Sequence, residues 1–243
     1  MGPITQLTGP TTVFAQGIYE ASVAAQHNIG EYAVSNDGRG YRYCKADGLQ
    51  VVGKLYQAAA EDTSNHQELA ITNAAVGDLS IVTTSTVTLA ADALAGGFLL
   101  VSEGTLGVGQ LYKIKGHLAA SAAVVTFNLD EPVRVATTGS AKVDVKANPY
   151  FDVVVAPTTA SSGPVGVAQY AIPDNYFGWI QTHGICGILA QGTVVVGDDL
   201  VPAETTTSGT VVSRADASLS ATVGFALHGG ASTDFALAFL TID

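Results

Sequence analysis

Lys142-Val143-Asp144-Val145-Lys146 alternates charged and apolar residues with a period of two. An extended strand sends successive side chains to opposite faces, whereas a helix repeats every 3.6 residues, so this pattern predicts a half-buried strand. The same period places Leu79, Ile81 and Thr83 on one face, and sets Tyr112 and Ile114 against Lys113 and Lys115. Helical signals are sparse. "YQAAAEDTSNHQELA" predicts a short helix on alanine content alone, without an apolar stripe.

Turn chemistry separates the alternating segments. Asn36-Asp37-Gly38 and Asp47-Gly48 are hairpin signals, the second followed by the apolar run Leu49 to Val52, and a Gly-rich turn at 104–109 divides "GGFLLVSEGTLGVGQLYKI" into two strands. Val-Gly occurs six times, at 52, 76, 108, 165, 196 and 223, where composition alone gives about three. Four of these continue as "VGKL", "VGDL", "VGQL" and "VGDDL". A glycine that bends the chain on its way into a strand suits a barrel or a strongly curled sheet.

These signals predict an all-β chain with strands near 79–84, 98–102, 110–115, 142–146, 151–155, 178–189, 194–202, 209–213, 221–227 and 235–242. Three segments are expected. Residues 1–75 hold a Pro/Gly/Thr-rich N-terminal arm and a hairpin region, 76–150 a central β region, and 151–243 a C-terminal β domain that opens with "FDVVVAP" and then passes a Ser/Thr/Gly/Pro linker at 157–164.

Charge and cysteine usage limit the partners. Ten Lys and Arg stand against 21 Asp and Glu, a net charge of −11, so a phosphate backbone is repelled and no nucleic-acid partner is expected. No stretch reaches the roughly 18 apolar residues of a membrane span, and the N-terminus lacks the basic and apolar regions of a signal peptide. Synthesis in a cytoplasm, with no membrane partner, is the expectation. Cys44 and Cys186 are too few and too far apart for a zinc cluster, and a chain of this size does not need a disulfide staple between them.

The densest group of reactive residues is "NYFGWIQTHGICGILAQGTVVVGDDLVP", residues 175–202. If 179–189 is a strand, Trp179, Gln181, His183 and Ile185 share one face while Ile180, Thr182 and Cys186 share the other, so His183 and Cys186 form no couple unless a glycine bulge intervenes. Asp198 and Asp199 diverge at a turn entering a strand and make no acid/base pair. Trp179, the only indole, is expected in the core. The other histidines stand alone, and no Gly-rich loop carries the Lys-Ser/Thr of a phosphate site. Arg39, Arg42 and Lys45 cluster with Tyr41 and Tyr43 on what reads as an exposed hairpin. No catalytic residue, cofactor or metal ligand is expected.

Three stretches carry a resemblance: "SNDGRGYRYCKADG"; "AGGFLLVSEGTLGVGQLYKIKGH" with "FNLDEPVRVA"; and "YFGWIQTHGICGILAQGTVVVGDDLVPAETTTSGTV" with "ATVGFAL". Together they resemble the head decoration, or cement, proteins of tailed-phage virions, in which a Gly-Trp-aliphatic-Gln strand precedes a Gly-Asp turn and a Val-Gly-x-Ala-Leu strand. The resemblance implies a β-tulip, sandwich or barrel-like body, no catalysis, and a homo-oligomer, expected as a homotrimer, on the capsid exterior with the major capsid protein as partner. In the arm, Ile4, Leu7, Val13 and Phe14 have little to bury against locally and are the expected contacts to a neighbouring subunit. A tail or fibre component and a polysaccharide-degrading enzyme are the alternatives.

Overall fold

The computed structural model describes residues 16–204, 207–215 and 220–243. The chain is nearly all β, folded as curled antiparallel sheets that form half-barrels. It divides into two compact units, one made of residues 1–59 and 150–243 and the other of 60–149. The second unit is thus an insertion in the first, whereas the sequence alone suggested three consecutive segments parting at 75/76 and 150/151.

The first unit begins with β1 (Tyr32–Val34), β2 (Gly40–Lys45) and β3 (Leu55–Gln57). The inserted unit follows with the four-residue α1 (Thr63–His66), then β4 (Leu69–Ala70), β5 (Ser80–Val82), β6 (Val87–Leu89), β7 (Phe98–Glu103), β8 (Leu111–Gly116), β9 (Ala120–Ala123), β10 (Thr126–Leu129) and β11 (Lys142–Lys146). The chain returns to the first unit as β12 (Val154–Val155), β13 (Pro164–Ala168), β14 (Phe177–Leu189), β15 (Asp199–Pro202), β16 (Val211–Ser213), β17 (Gly224–His228) and β18 (Phe235–Thr241).

The ten-stranded sheet of the first unit runs β12-β3-β13-β14-β18-β17-β15-β16, with β2 also on β14 and β1 on β2. In the inserted unit a six-stranded sheet runs β4-β11-β7-β8-β10-β5 beside the β6-β9 pair. Its core is built by the predicted alternation: Tyr112 and Ile114, Val143 and Val145, and Leu99 and Val101 point inward, while Lys113, Lys115, Lys142 and Lys146 point out. The helix at 63–66 is short because its support is local: Asp62 caps it by accepting from the Ser64 and Asn65 backbone N–H groups, and it buries no side chain.

Four of the Val-Gly pairs are one device. In each, the residue after glycine donates its N–H to the carbonyl three residues back: Lys54 to Val51, Asp78 to Ala75, Gln110 to Gly107 and Asp198 to Val195, at 3.1–3.2 Å. The glycines Gly53, Gly77, Gly109 and Gly197 have φ of 77°, 98°, 82° and 89°, the left-handed third position of a type II turn. A strand begins two or three residues later in every case, at β3, β5, β8 and β15.

Several expectations fail for a shared reason. Leu79 lies exposed rather than beside Ile81, because β5 begins only at Ser80. Leu49 to Val52 form no strand, since they lead into the turn at Gly53. The hairpin at 32–45 is exposed at its tip but not along β2, where Tyr41, Tyr43 and Cys44 are wholly buried between β1 and β14. Of the predicted 151–155 strand only Val154–Val155 is a strand, with Val153 in an isolated bridge to Ala46, and β13 begins where the linker was expected to end.

Candidate interaction surface

The reactive letters of residues 175–202 do not converge. β14 is a single 13-residue strand, with a register irregularity against β2 between Gln181 and His183 and a left-handed Gly184 (φ 85°). Even with that irregularity His183 and Cys186 are engaged separately. The His183 ring stacks edge-on with Phe239 and its Nδ1 lies 3.1 Å from the Asp243 carbonyl, while Cys186 is buried beside Gln169 in the core of the first unit. Burial pushes the Cys186 thiol up to about 12, and Cys44 likewise, so neither supplies a thiolate at neutral pH. Both cysteines are free. Asp198 closes a Val-Gly turn and the exposed Asp199 faces Arg214 at 3.9 Å.

Arg39, Arg42, Lys45 and His117 are likewise engaged locally. Arg39 pairs with Asp37 at 2.7 Å, Arg42 with Asp243 at 2.6 Å, and Lys45 with Asp152 at 2.6 Å, so the basic cluster is a set of ion pairs. His117, in the inserted unit, accepts from the Leu94 N–H through Nε2 and contacts the Leu118 carbonyl through Nδ1. It lines an open concavity of about 470 Å³ with Asp92, Lys115 and Asn128. Among the described residues no three His, Cys, Asp or Glu are grouped to hold a metal ion, and no helix is long and apolar enough to cross a membrane.

Trp179 is buried, but its role is more specific than filling a sheet core. Its indole Nε1–H donates to the Gln16 carbonyl at 3.0 Å. The Gln16 side chain accepts from Tyr43 (2.6 Å) and Ser22 (2.9 Å), and donates to the Glu20 (2.8 Å) and Phe177 (3.0 Å) carbonyls. Around it Trp179, Tyr43 and His27 meet edge to face at centroid distances of 5.0–5.2 Å. Gln16 and Trp179 are therefore joined in a buried clamp. Ile4, Leu7, Val13 and Phe14 lie outside the described residues.

The feature that sequence reasoning missed is on the other side of the C-terminal strands. In β18 Ala236, Ala238 and Leu240 point into the core while Phe235, Leu237 and Phe239 point outward; in β17 Ala226 points in while Phe225 and Leu227 point out; in β14 Cys186 and Ile188 point in while Ile185 points out. Antiparallel sheets with one wet face normally reverse this, placing the larger apolar residues inside. Register brings the outer residues together: Ile185 pairs with Phe239, which pairs with Phe225, and the two Phe rings stack at 5.4 Å. Ile185, Phe225, Leu227, Phe235 and Leu237 are 38–54% exposed. The exposed area of these five is about 450 Å² at ~200 Å² per large side chain, large enough to mark an interaction site. No Asp, Glu, Lys or Arg occupies an outward position on β17, β18 or the 185–189 part of β14. A concavity of about 360 Å³ lined by Asp37, Arg39, Gly184, Ile185 and Phe239 borders it.

No family model, curated protein or solved structure matches this chain.

Proposed function

We propose that this chain is a virion structural protein that coats the outer surface of an assembled tailed-phage capsid and stabilises it, acting by binding rather than catalysis. The observation that carries this reading is the uncharged apolar outer face of β14, β17 and β18, a surface suited to being covered by other protein. Two further features support it: the resemblance of residues 35–48, 95–117, 127–136, 176–211 and 221–227 to decoration proteins, and the buried clamp at Gln16, next to the arm whose Ile4, Leu7, Val13 and Phe14 are the proposed contacts to a neighbouring subunit. In this reading the chain acts as a homotrimer, with the major capsid protein as its second partner. A protein that binds the closed shell and not its loose subunits stabilises the shell by mass action, and an acidic coat keeps particles dispersed.

The test is electron imaging of virions that carry a tagged copy of this chain. Density from the tag distributed over the head is expected. Density confined to the tail would replace the decoration reading with a tail component, and untagged virions would remove both.

A further inference from the structure

We propose that the apolar outer face of β14, β17 and β18 packs against a second copy of this chain. This rests on the assembly reading above and assigns the partner of that surface. The strand register is the first argument. A one-residue slip would bury Phe235, Leu237 and Phe239 and expose Ala236, Ala238 and Leu240, yet seven consecutive pairings between β14 and β18 hold the opposite phase. The interior takes Ala226, Ala236 and Ala238 along with Ile188 and Leu240, and the sheet is apolar on both sides, as sheets covered on both sides are.

Charge selects the occupant. Two copies at a net charge of −11 repel one another across most of their surfaces. The outer face of the six-stranded sheet, by comparison, carries Lys113, Lys115, Lys142, Asp144 and Lys146, whereas the β14-β17-β18 face carries no formal charge. Like-charged copies meet there without juxtaposing carboxylates, and a partner recognised by charge has nothing to read. Charges stand at the border, at Asp37 with Arg39 beside Ile185 and Phe239, at Asp234, at Asp243 with Arg42, and at Asp199 with Arg214. An apolar centre with a polar border is the layout of a protein interface, and about 450 Å² of apolar side chain supplies the dry centre of the roughly 800 Å² that each partner of a stable complex buries.

Sedimentation of the purified chain, with no capsid present, tests this without reference to the capsid reading. The wild type should sediment as more than one chain at micromolar concentration, and more strongly in 0.5 M salt, which screens the repulsion and leaves apolar contact intact. Leu237→Glu and Phe225→Glu should each weaken association at least tenfold while keeping the wild-type circular dichroism. Leu118→Lys, at an exposed apolar residue of the inserted unit, should leave the mass unchanged. A chain that is monomeric at every salt concentration overturns the proposal, and so does an oligomer indifferent to both glutamate substitutions. Capsid binding by a monomeric chain would leave the decoration reading standing and remove only this interface.

Discussion

At the scale of single residues, Trp179 and Gln16 tie the start of the described chain to the middle of β14. Removing the indole leaves a cavity lined by Tyr43 and His27 and strips the Gln16 carbonyl of its donor. Trp179→Ala should therefore destabilise the fold by about 3–5 kcal/mol, read as a shift in the urea midpoint at constant slope. An unchanged midpoint would contradict the clamp. The two thiols give a pH prediction. Burial raises Cys44 and Cys186 from 9.0 to about 12, and Tyr56 and Tyr150 from 10.0 to about 12. A group whose folded pKa exceeds its unfolded one favours the folded state fully below the unfolded value and loses that contribution as pH rises toward the folded one, because the unfolded chain releases its proton first. Stability should accordingly fall between pH 9 and 12. The fall should be shallower in a Cys44→Ala, Cys186→Ala double variant, and parallel pH curves for the two proteins would show that the thiols do not contribute.

Among elements, the Val-Gly turns and the outer face of β18 show how far local grammar reaches. Gly109 has open space around its Cα, so Gly109→Ala meets only the left-handed φ and should cost about 1 kcal/mol. At Gly53 an added Cβ would also lie on the Phe235 ring, so Gly53→Ala should lower the melting temperature further than Gly109→Ala. Equal losses would mean that Phe235 is not packed there. These turns were legible because a turn glycine precedes a contrast of polar and apolar residues, and so were β7, β8, β11, β14 and β18. β13 was not, and β2 was read as part of a hairpin but as an exposed one, because both strands are buried on both sides and carry no alternation that marks an inner face. In β18 both alternate sets are apolar, so "FALAFLT" reveals a strand but not which side faces water. That choice comes from the pairing with β14, and it is why the interaction surface escaped the sequence while Trp179 did not.

For the whole molecule, the separation of the chain into residues 60–149 and the two segments around them was beyond sequence reading, since it depends on Tyr150 returning beside Lys45, whose backbone N–H donates to the Tyr150 carbonyl at 3.0 Å. The charged outer face of the inserted sheet and the uncharged face of β14, β17 and β18 give the two units different surfaces to offer to assembly. Gln16 is buried in the clamp, so a truncation that tests the proposed contact of residues 1–15 should stop at residue 15 and leave the clamp intact. The most direct test of the central claim mixes full-length and 16–243 protein with bare capsids and with unassembled capsid subunits, followed by co-sedimentation and heating of the particles. Full-length protein should sediment with capsids but not with loose subunits, and should raise the capsid melting temperature. The truncated form, with an unchanged circular dichroism spectrum, should occupy fewer sites. Failure of the full-length protein to bind capsids, or equal binding to shells and loose subunits, would contradict the account.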